Sequence, residues 1–327
     1  MNNIGIIIVN YCTPALVVAN IESLAEENGR LGGALKVYVV DNCSKDGSTA
    51  LIFGEIERRG WGDWVRLIPQ QSNLGFAGGN NVALAEILER PNYCPYIMFL
   101  NPDATITPGS IESSRQFLLQ RAEVGVVGSQ LANPDGTQRR SAFRYPSPIG
   151  EFLRGARTGV LTRLFRRWEI APPPEDTPQR TDWVSGAAFM VRRRVVEQVG
   201  LLDDRFFLYY EEVDFMRRIN NANWEVWHNP KSVVVHLAGQ ATKIRGEVSE
   251  AGALPEYWYE SWQRYYMKNH GRGKTCLAGL CWILGESIFR LRLWLRGDLP
   301  PPGAATISKF WKIALLPVLF AKSKAEA

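Results

Sequence analysis

Tyr96-Ile97-Met98-Phe99-Leu100-Asn101-Pro102-Asp103 is the stretch that decides the fold. Five apolar residues in a row form a strand suited to burial on both faces, and the strand stops at a turn that carries an acid. A carboxylate is thereby placed at the carboxyl edge of a sheet, where open α/β sheets bind their ligands. A hard oxygen donor there suits a divalent cation, and such a cation can hold a diphosphate. Asp103 is therefore the first candidate metal ligand. An Asn-Pro-Asp turn after a strand is common on its own, so its weight comes from the sequence on either side.

Working outward, residues 4–9 and 35–40 are continuous apolar runs, and residues 15–27 between them read as a helix. Together they predict a βαβ unit of a parallel sheet covered on both faces. A third strand at 65–68 precedes a glycine-rich loop and a helix from about Asn80 to Leu88. Strands at 124–127, 183–192 and 233–236 follow in a mixed pattern. The first 130 residues read as a nucleotide-binding α/β half, and the next hundred as the part that completes its site. Residues 172–180, with Pro172, Pro173, Pro174 and Pro178, read as a mobile loop without regular structure.

At 327 residues the chain is long enough for one full core and an appended segment. A hydrophobic fraction of 46% and a charged fraction of 22% are those of an ordinary soluble protein. The formal charge of +5 is unevenly spread. Residues 139–167 hold eight Arg against one Glu, and residues 264–327 hold eleven Lys/Arg against three acids, which leaves −10 for the rest. Two basic regions on an acidic body should face something anionic. No nucleic-acid-binding motif accompanies them, and their apolar company suits a membrane surface. The five cysteines are odd in number and lack C-x-x-C spacing, which argues for a reducing compartment and against zinc and disulfides. The first strand begins almost at once, with no signal-peptide pattern ahead of it. No apolar run nears the ~20 residues of a bilayer span. The expectation is a cytoplasmic protein.

Asp41 ends the second strand within Val39-Val40-Asp41-Asn42-Cys43-Ser44-Lys45-Asp46-Gly47-Ser48. A carboxylate at that edge can accept the imide N–H of a uracil or thymine ring. Asp46-Gly47 builds the turn but does not account for Asp41. Asn73-Leu74-Gly75-Phe76-Ala77-Gly78-Gly79-Asn80-Asn81 leads into a helix; glycines permit close backbone approach, and a helix N-terminus favours negative charge. The alternative is a plain glycine turn with an Asn cap. Glu211, Glu212 and Asp214 form a second acidic cluster. Packing acids together raises the pKa of at least one, which suits a general base near neutrality. The alternative is a helix start, because acids favour helix N-termini and Asp214 can pair with Arg217 or Arg218.

Read in order, Ile7-Ile8-Val9-Asn10-Tyr11, the Asp41 run, the Asn73 run and Leu100-Asn101-Pro102-Asp103 resemble glycosyltransferase family 2. Val184-Ser185-Gly186-Ala187-Ala188-Phe189 and the Phe206 to Asp214 segment extend the resemblance over roughly residues 4–240, nearest its rhamnosyltransferase-like branch. The resemblance implies an A-type glycosyltransferase fold: α/β, with a Rossmann-like nucleotide-binding half, a mixed central sheet and here a C-terminal helical, amphipathic extension. The catalytic domain would span 1–240, with a nucleotide-sugar half over about 1–130 and an acceptor half over about 131–240. The extension would be 241–327.

The same resemblance implies a nucleotide-diphosphate sugar donor and a divalent cation, Mg2+ or Mn2+. The donor would be dTDP-rhamnose, or a UDP-sugar as in galactofuranosyltransferases. The donor-site residues would be Asn10, Tyr11, Asp41, Asn73, Gly75, Phe76, Gly78, Asn80, Asn101, Asp103, Trp183 and Gly186. Asn101 stands where the family has the first acid of its Asp-x-Asp signature, so Asp103 would be the main carboxylate ligand. His236 matches a second metal ligand; its alternative is a strand-end histidine hydrogen-bonded to backbone. Glu212 matches the base of an inverting displacement, with Glu211 and Asp214 in support. Other classes stay open. A nucleotidyltransferase would ordinarily carry a glycine-rich, Arg/Lys-bearing loop near the first strand, and Asn10-Tyr11-Cys12-Thr13-Pro14 has none. A catalytically silent nucleotide-sugar-binding partner of another transferase is the second.

Residues 282–296 place Leu284, Ile288, Leu291 and Leu295 on one helical stripe flanked by Arg290, Arg292 and Arg296. Further on, Phe310, Trp311, Leu315, Leu316 and Leu319 alternate with Lys309 and Lys312. Apolar faces edged by Arg and Trp suit an anionic membrane interface. The expectation is peripheral contact on the inner face of the cell membrane, with a lipid-linked or polysaccharide acceptor. A helical hairpin packed on the catalytic domain or on a homodimer partner is the alternative. The Arg-rich 139–167 would either grip a diphosphate on such an acceptor or form a solvated, partly disordered loop.

Overall fold

The apolar runs become strands buried on both faces in the computed structural model, which describes residues 3–91, 93–237, 239, 244–245, 248–249, 254–301 and 304–320. In chain order come β1 (Ile4–Asn10), α1 (Pro14–Arg30), β2 (Leu35–Asp41), α2 (Ser48–Arg58), β3 (Val65–Pro69) and α3 (Gly75–Leu88). Next are β4 (Tyr96–Leu100), β5 (Ala104–Ile106), α4 (Ser110–Gln120), β6 (Val124–Ala132), β7 (Ala142–Phe143), α5 (Pro148–Ala156) and α6 (Gly159–Leu164). The chain continues through β8 (Gln179–Thr181), β9 (Trp183–Val184), β10 (Ala188–Arg192), α7 (Arg193–Val199), α8 (Glu211–Asn221), β11 (Glu225–His236) and α9 (Glu256–Arg296).

The main sheet has the order β3-β2-β1-β4-β10-β6-β11-β5, with β8 added on β11. β1 runs parallel to β2 and β4, whereas β10 lies antiparallel between β4 and β6, so the central sheet is mixed. Strand alternation sends Ile6 and Ile8 to one face with Val17, Ile21 and Leu24 of α1, and Ile7 to the other with Ala83, Leu84 and Phe99. Each such fully buried aliphatic side chain contributes about 1.5–3 kcal/mol.

The chain divides into two compact units. One holds residues 1–143, 173–207 and 211–242; the other holds 144–172, 208–210 and 243–327. The second is built on α9, in which two helical runs meet at Gly271, whose φ of +73° is natural only to glycine. Its core is aromatic: Phe310 stacks on Trp282 at 4.2 Å and meets Trp262 edge-on at 4.8 Å. Buried Glu151 pairs with Arg154 at 2.5 Å and accepts from the Tyr266 hydroxyl at 2.8 Å.

Four sequence expectations are corrected. α3 starts at Gly75 and not near Asn80, because Gly78 and Gly79 pack against Leu74 and Val9 where a Cβ would collide, so the glycines lie inside the helix. Residues 172–180 are not wholly irregular: β8 begins directly after Pro178, a position a strand tolerates. Residues 139–167 are not a disordered loop but carry α5 and α6. Phe310 and Leu315, expected on an outer face, are buried.

Candidate active site

The carboxyl ends of β1 and β2 bring the first candidates together. Asn10 and Asp41 are register partners, and Asn10 Nδ2 donates to Asp41 Oδ1 at 2.7 Å. Thr49 Oγ1, from the first turn of α2, donates to Asp41 Oδ2 at 2.5 Å. Asp41 is buried, and these donors satisfy both oxygens. Asn42 shapes the next loop: its Nδ2 donates to Asn73 Oδ1 and to Gly75 O, both at 2.9 Å, and its Oδ1 accepts from Leu74 N–H at 3.0 Å. Gly75 has φ +70°, and a Cβ there would overlap the Phe207 carbonyl, which accepts from Phe76 N–H at 2.8 Å. Asn80 is buried and donates to Phe76 O at 2.8 Å within α3, and Gly78 lies under Leu74. Tyr11 is exposed.

At the end of β4, Asn101 N–H donates to Ala187 O at 2.9 Å, and Leu237 N–H donates to Asp103 O at 3.0 Å. The second contact brings the end of β11 to the Asp103 turn. His236 Nε2 stands 3.1 Å from Asp103 Oδ1 and 3.4 Å from Asn101 Nδ2, so the imidazole meets a carboxylate and not backbone. His236 Nδ1 and Asn101 Oδ1 are buried and make no hydrogen bond. Among the described residues no group of three or more His, Cys, Asp or Glu forms a complete cage.

The second acidic cluster opens α8. Gly186, in the break between β9 and β10, faces it: a Cβ on Gly186 would stand 3.6 Å from Glu212 Cβ and Cγ. The next residue, Ala187, is the one that holds Asn101, so Glu212 and the turn that carries Asp103 each meet the same short segment. Glu211 is buried. Burial, with the Glu212 carboxylate beside it, raises the Glu211 carboxyl well above the usual range. Asp214 is buried and pairs with Arg218 Nε at 3.1 Å, the helical i,i+4 pairing that was its alternative reading. Trp183 is half-buried with one ring face stacked on Phe143 at 4.1 Å.

Sequence reasoning gave no role to Asn42 or Thr49, and read Ala187 only as a small residue lining the sugar and acceptor pocket with Ser185 and Gly186. Asn42 was legible only as the neighbour of Asp41; the Thr49 contact with Asp41 and the hold of Ala187 on Asn101 are announced by no local pattern.

A mixed sheet flanked by helices, with acids gathered at the strand ends and at a facing helix start, defines the A-type glycosyltransferase fold. The mannosyltransferase PcManGT from Pyrobaculum calidifontis, solved with GDP-Man and Mn2+, superimposes with a TM-score of 0.55 at 14% identity, over 91% of this chain and 76% of that one. Residues 5–200 match Glycosyl transferase family 2, and the chain belongs to that family. It is 29% identical over 219 residues to the N-acetylglucosaminyl-diphospho-decaprenol L-rhamnosyltransferase of Mycobacterium tuberculosis, covering 64% of this chain and 68% of that protein. It is 28% identical over 225 residues to the low-salt glycan biosynthesis hexosyltransferase Agl10 of Haloferax volcanii, covering 68% and 63%. The protein is a glycosyltransferase of the rhamnosyltransferase-like branch.

Proposed function

We propose that the protein transfers L-rhamnose from dTDP-rhamnose to a lipid-linked or polysaccharide acceptor by a single inverting displacement. The observation that carries this is that Gly186 packs against Glu212 while the next residue, Ala187, holds Asn101, two residues before the Asp103 that meets His236. Glu212 takes the proton of the acceptor hydroxyl as its oxygen bonds to the anomeric carbon and the bond to the nucleotide diphosphate breaks. Glu211 beside it is buried and holds its proton more tightly than an ordinary carboxyl, which limits the negative charge opposing that step. Asp103 and His236 would hold the divalent cation, with Asn101 adjacent; when bound, the cation offsets charge on the departing diphosphate. Asp41 and Asn10 stand where the base of the nucleotide would lie, and Asn73, Gly75 and Phe76 line the approach. Trp183 and Gly186 border the sugar and acceptor side.

The second reading is a UDP-sugar donor, since Asp41 serves uracil as well as thymine. In either case the nucleotide-sugar half is assigned to about residues 1–130 of a catalytic region spanning 1–240, and the helical segment to 241–327, with residues 144–172 and 208–210 falling in the same compact unit as that segment.

That segment favours peripheral contact with the inner face of an anionic membrane. Leu284, Leu291, Trp294 and Leu295 of α9 are 57%, 54%, 74% and 69% exposed, while Glu286, the acid among residues 277–296, is buried. Arg290 pairs with Glu286 at 2.9 Å and Arg292 donates to Ala156 O at 3.1 Å, while exposed Arg296 lies beside the apolar stripe; an apolar stripe edged by positive charge suits anionic lipid better than a second copy bearing the same charges. No described helix is long and apolar enough to cross a membrane.

The test is nucleotide release from a panel of dTDP- and UDP-sugars with a lipid-linked saccharide and Mg2+ or Mn2+. Release of dTDP that requires acceptor and cation is expected. Release that persists with chelator, or comes only from UDP-sugars, would overturn the cation or the donor assignment respectively.

A further inference from the structure

We propose that Asn20, Ser23 and Glu27 of α1 are positioning residues that fix the main chain carrying Asp103. They recur at i, i+3 and i+7, on one face of the helix. Asn20 Nδ2 donates to Asn101 O at 2.8 Å. Ser23 Oγ accepts from Ile106 N–H at 3.1 Å and donates to Asn20 O at 2.7 Å. Glu27 Oε2 accepts from Gly109 N–H at 3.0 Å. One contact falls before Asp103 and two after it, so the turn is gripped on both sides of the acid.

Stability alone does not call for these side chains. Their neighbours Val17, Ile21 and Leu24 are buried and apolar, and Asn20 and Glu27 are themselves buried. Asn20 Oδ1 and Glu27 Oε1 are buried without hydrogen-bond partners, a desolvation penalty that an apolar residue would avoid. Nor does Asn101 O depend on Asn20 for a partner, because it also accepts from Ala104 N–H at 3.2 Å. What the stripe supplies is a fixed location for the peptide units on either side of Asp103. Outer groups that orient a metal-binding residue typically govern about 10–100-fold in affinity.

The inference rests on the reading of Asp103 as a cation-holding group, and the experiment separates the two. Binding of Mn2+ with dTDP is measured calorimetrically, without turnover, for the parent, Asn20→Leu, Glu27→Leu, Glu27→Gln, Asp103→Asn and the Asn20→Leu/Asp103→Asn pair, beside their melting temperatures. Asn20→Leu and Glu27→Leu are expected to weaken Mn2+ binding about tenfold while melting within a few degrees of the parent. Glu27→Gln, which keeps an acceptor for Gly109 N–H, should bind as the parent does. The decisive comparison is the pair: positioning through Asp103 requires that Asn20→Leu add nothing once Asp103 is Asn, whether the property Asp103 governs proves to be Mn2+ or dTDP binding. A full additional loss in the pair, or parent-like binding by Asn20→Leu, overturns the proposal. Loss of melting temperature in step with binding assigns the stripe to the fold and also overturns it. Unchanged Mn2+ binding by Asp103→Asn would strike the cation reading, and the pair would then be judged on dTDP affinity.

Discussion

Asp103 meets an imidazole 3.1 Å away, whereas Glu211, buried to a similar degree, has another carboxylate as its neighbour. The two places are built for different work. At the strand ends each acid is surrounded by donors: Asn10 and Thr49 for Asp41, His236 for Asp103. On the function proposed above, such surroundings would hold oxygens in place for a cation or a base edge. At the start of α8 an acid is packed against an acid, and the pair retains a proton that isolated carboxylates would release. Positioning dominates the first place, proton affinity the second, and substitutions should sort accordingly.

The largest effect is expected at Glu212. Glu212→Gln keeps the size of the side chain but cannot take a proton, so kcat should fall on the order of 10²–10⁴-fold while dTDP binding stays at the parent value. A variant that also loses nucleotide affinity would mean that the two places are not separable. Asp103→Asn should do the reverse. Mn2+-dependent dTDP binding should weaken by at least the roughly 10–100-fold seen when metal-orienting groups are altered, and raised Mn2+ should restore part of the rate. Titrating Mn2+ against initial rate checks this; a rate indifferent to Mn2+ would break the comparison at its first member.

The two places also differ in how far they could be read in advance. The strand ends that carry Asp41 and precede Asp103 were legible because each closes a continuous apolar run of the kind buried on both faces, and β1, β2 and β4 lie where those runs do. Asn20, Ser23 and Glu27 were not: a polar residue every three or four positions on a helix reads as a wet face, and only the loop packed on it shows otherwise. The first half of β11 was hidden by Pro230 and by a register shift between Asn229 and Val233, which interrupt the apolar pattern. Glu211 and Glu212 were visible as a cluster. The contact with Gly186 was not, because it joins positions 26 residues apart through a break between two strands. α9 was read only in its second run, where leucines are periodic; its first run is aromatic and its spacing is obscured by Tyr and Trp at polar-looking positions.

Glu211 supplies a subtler test. Its carboxyl titrates above the usual range in the fold, so the folded state holds more protons than the unfolded one between those two values. Stability from this group is therefore fully present below the ordinary carboxylate pKa and declines as pH rises toward the elevated one. Glu211→Gln removes that decline. The variant should gain in melting temperature relative to the parent as pH rises above the ordinary carboxylate range, and should retain activity, since Gln resembles the protonated acid in shape and hydrogen bonding. A relative loss of melting temperature on raising the pH would overturn this reading of Glu211.

The smallest effect, and the opposite sign, belongs to His228, eight residues before His236 on the same strand. His236 has a carboxylate partner, but both ring nitrogens of buried His228 lack a hydrogen bond, and burial pushes its pKa down to about 4. Here the unfolded chain binds the extra proton, between about 4 and the ordinary value near 6.5, so stability falls as pH drops through that window. A shift of this size corresponds to at most about 3 kcal/mol, and partial opening of the strand would reduce it. His228→Leu removes the titrating group without leaving an orphaned partner. Urea midpoints of parent and variant should agree at pH 7.5 within the packing change and diverge in favour of the variant by pH 4.5. If both lose the same stability on acidification, the loss belongs to carboxylates elsewhere. The contrast between a paired and an unpaired histidine on β11 would then have no thermodynamic consequence.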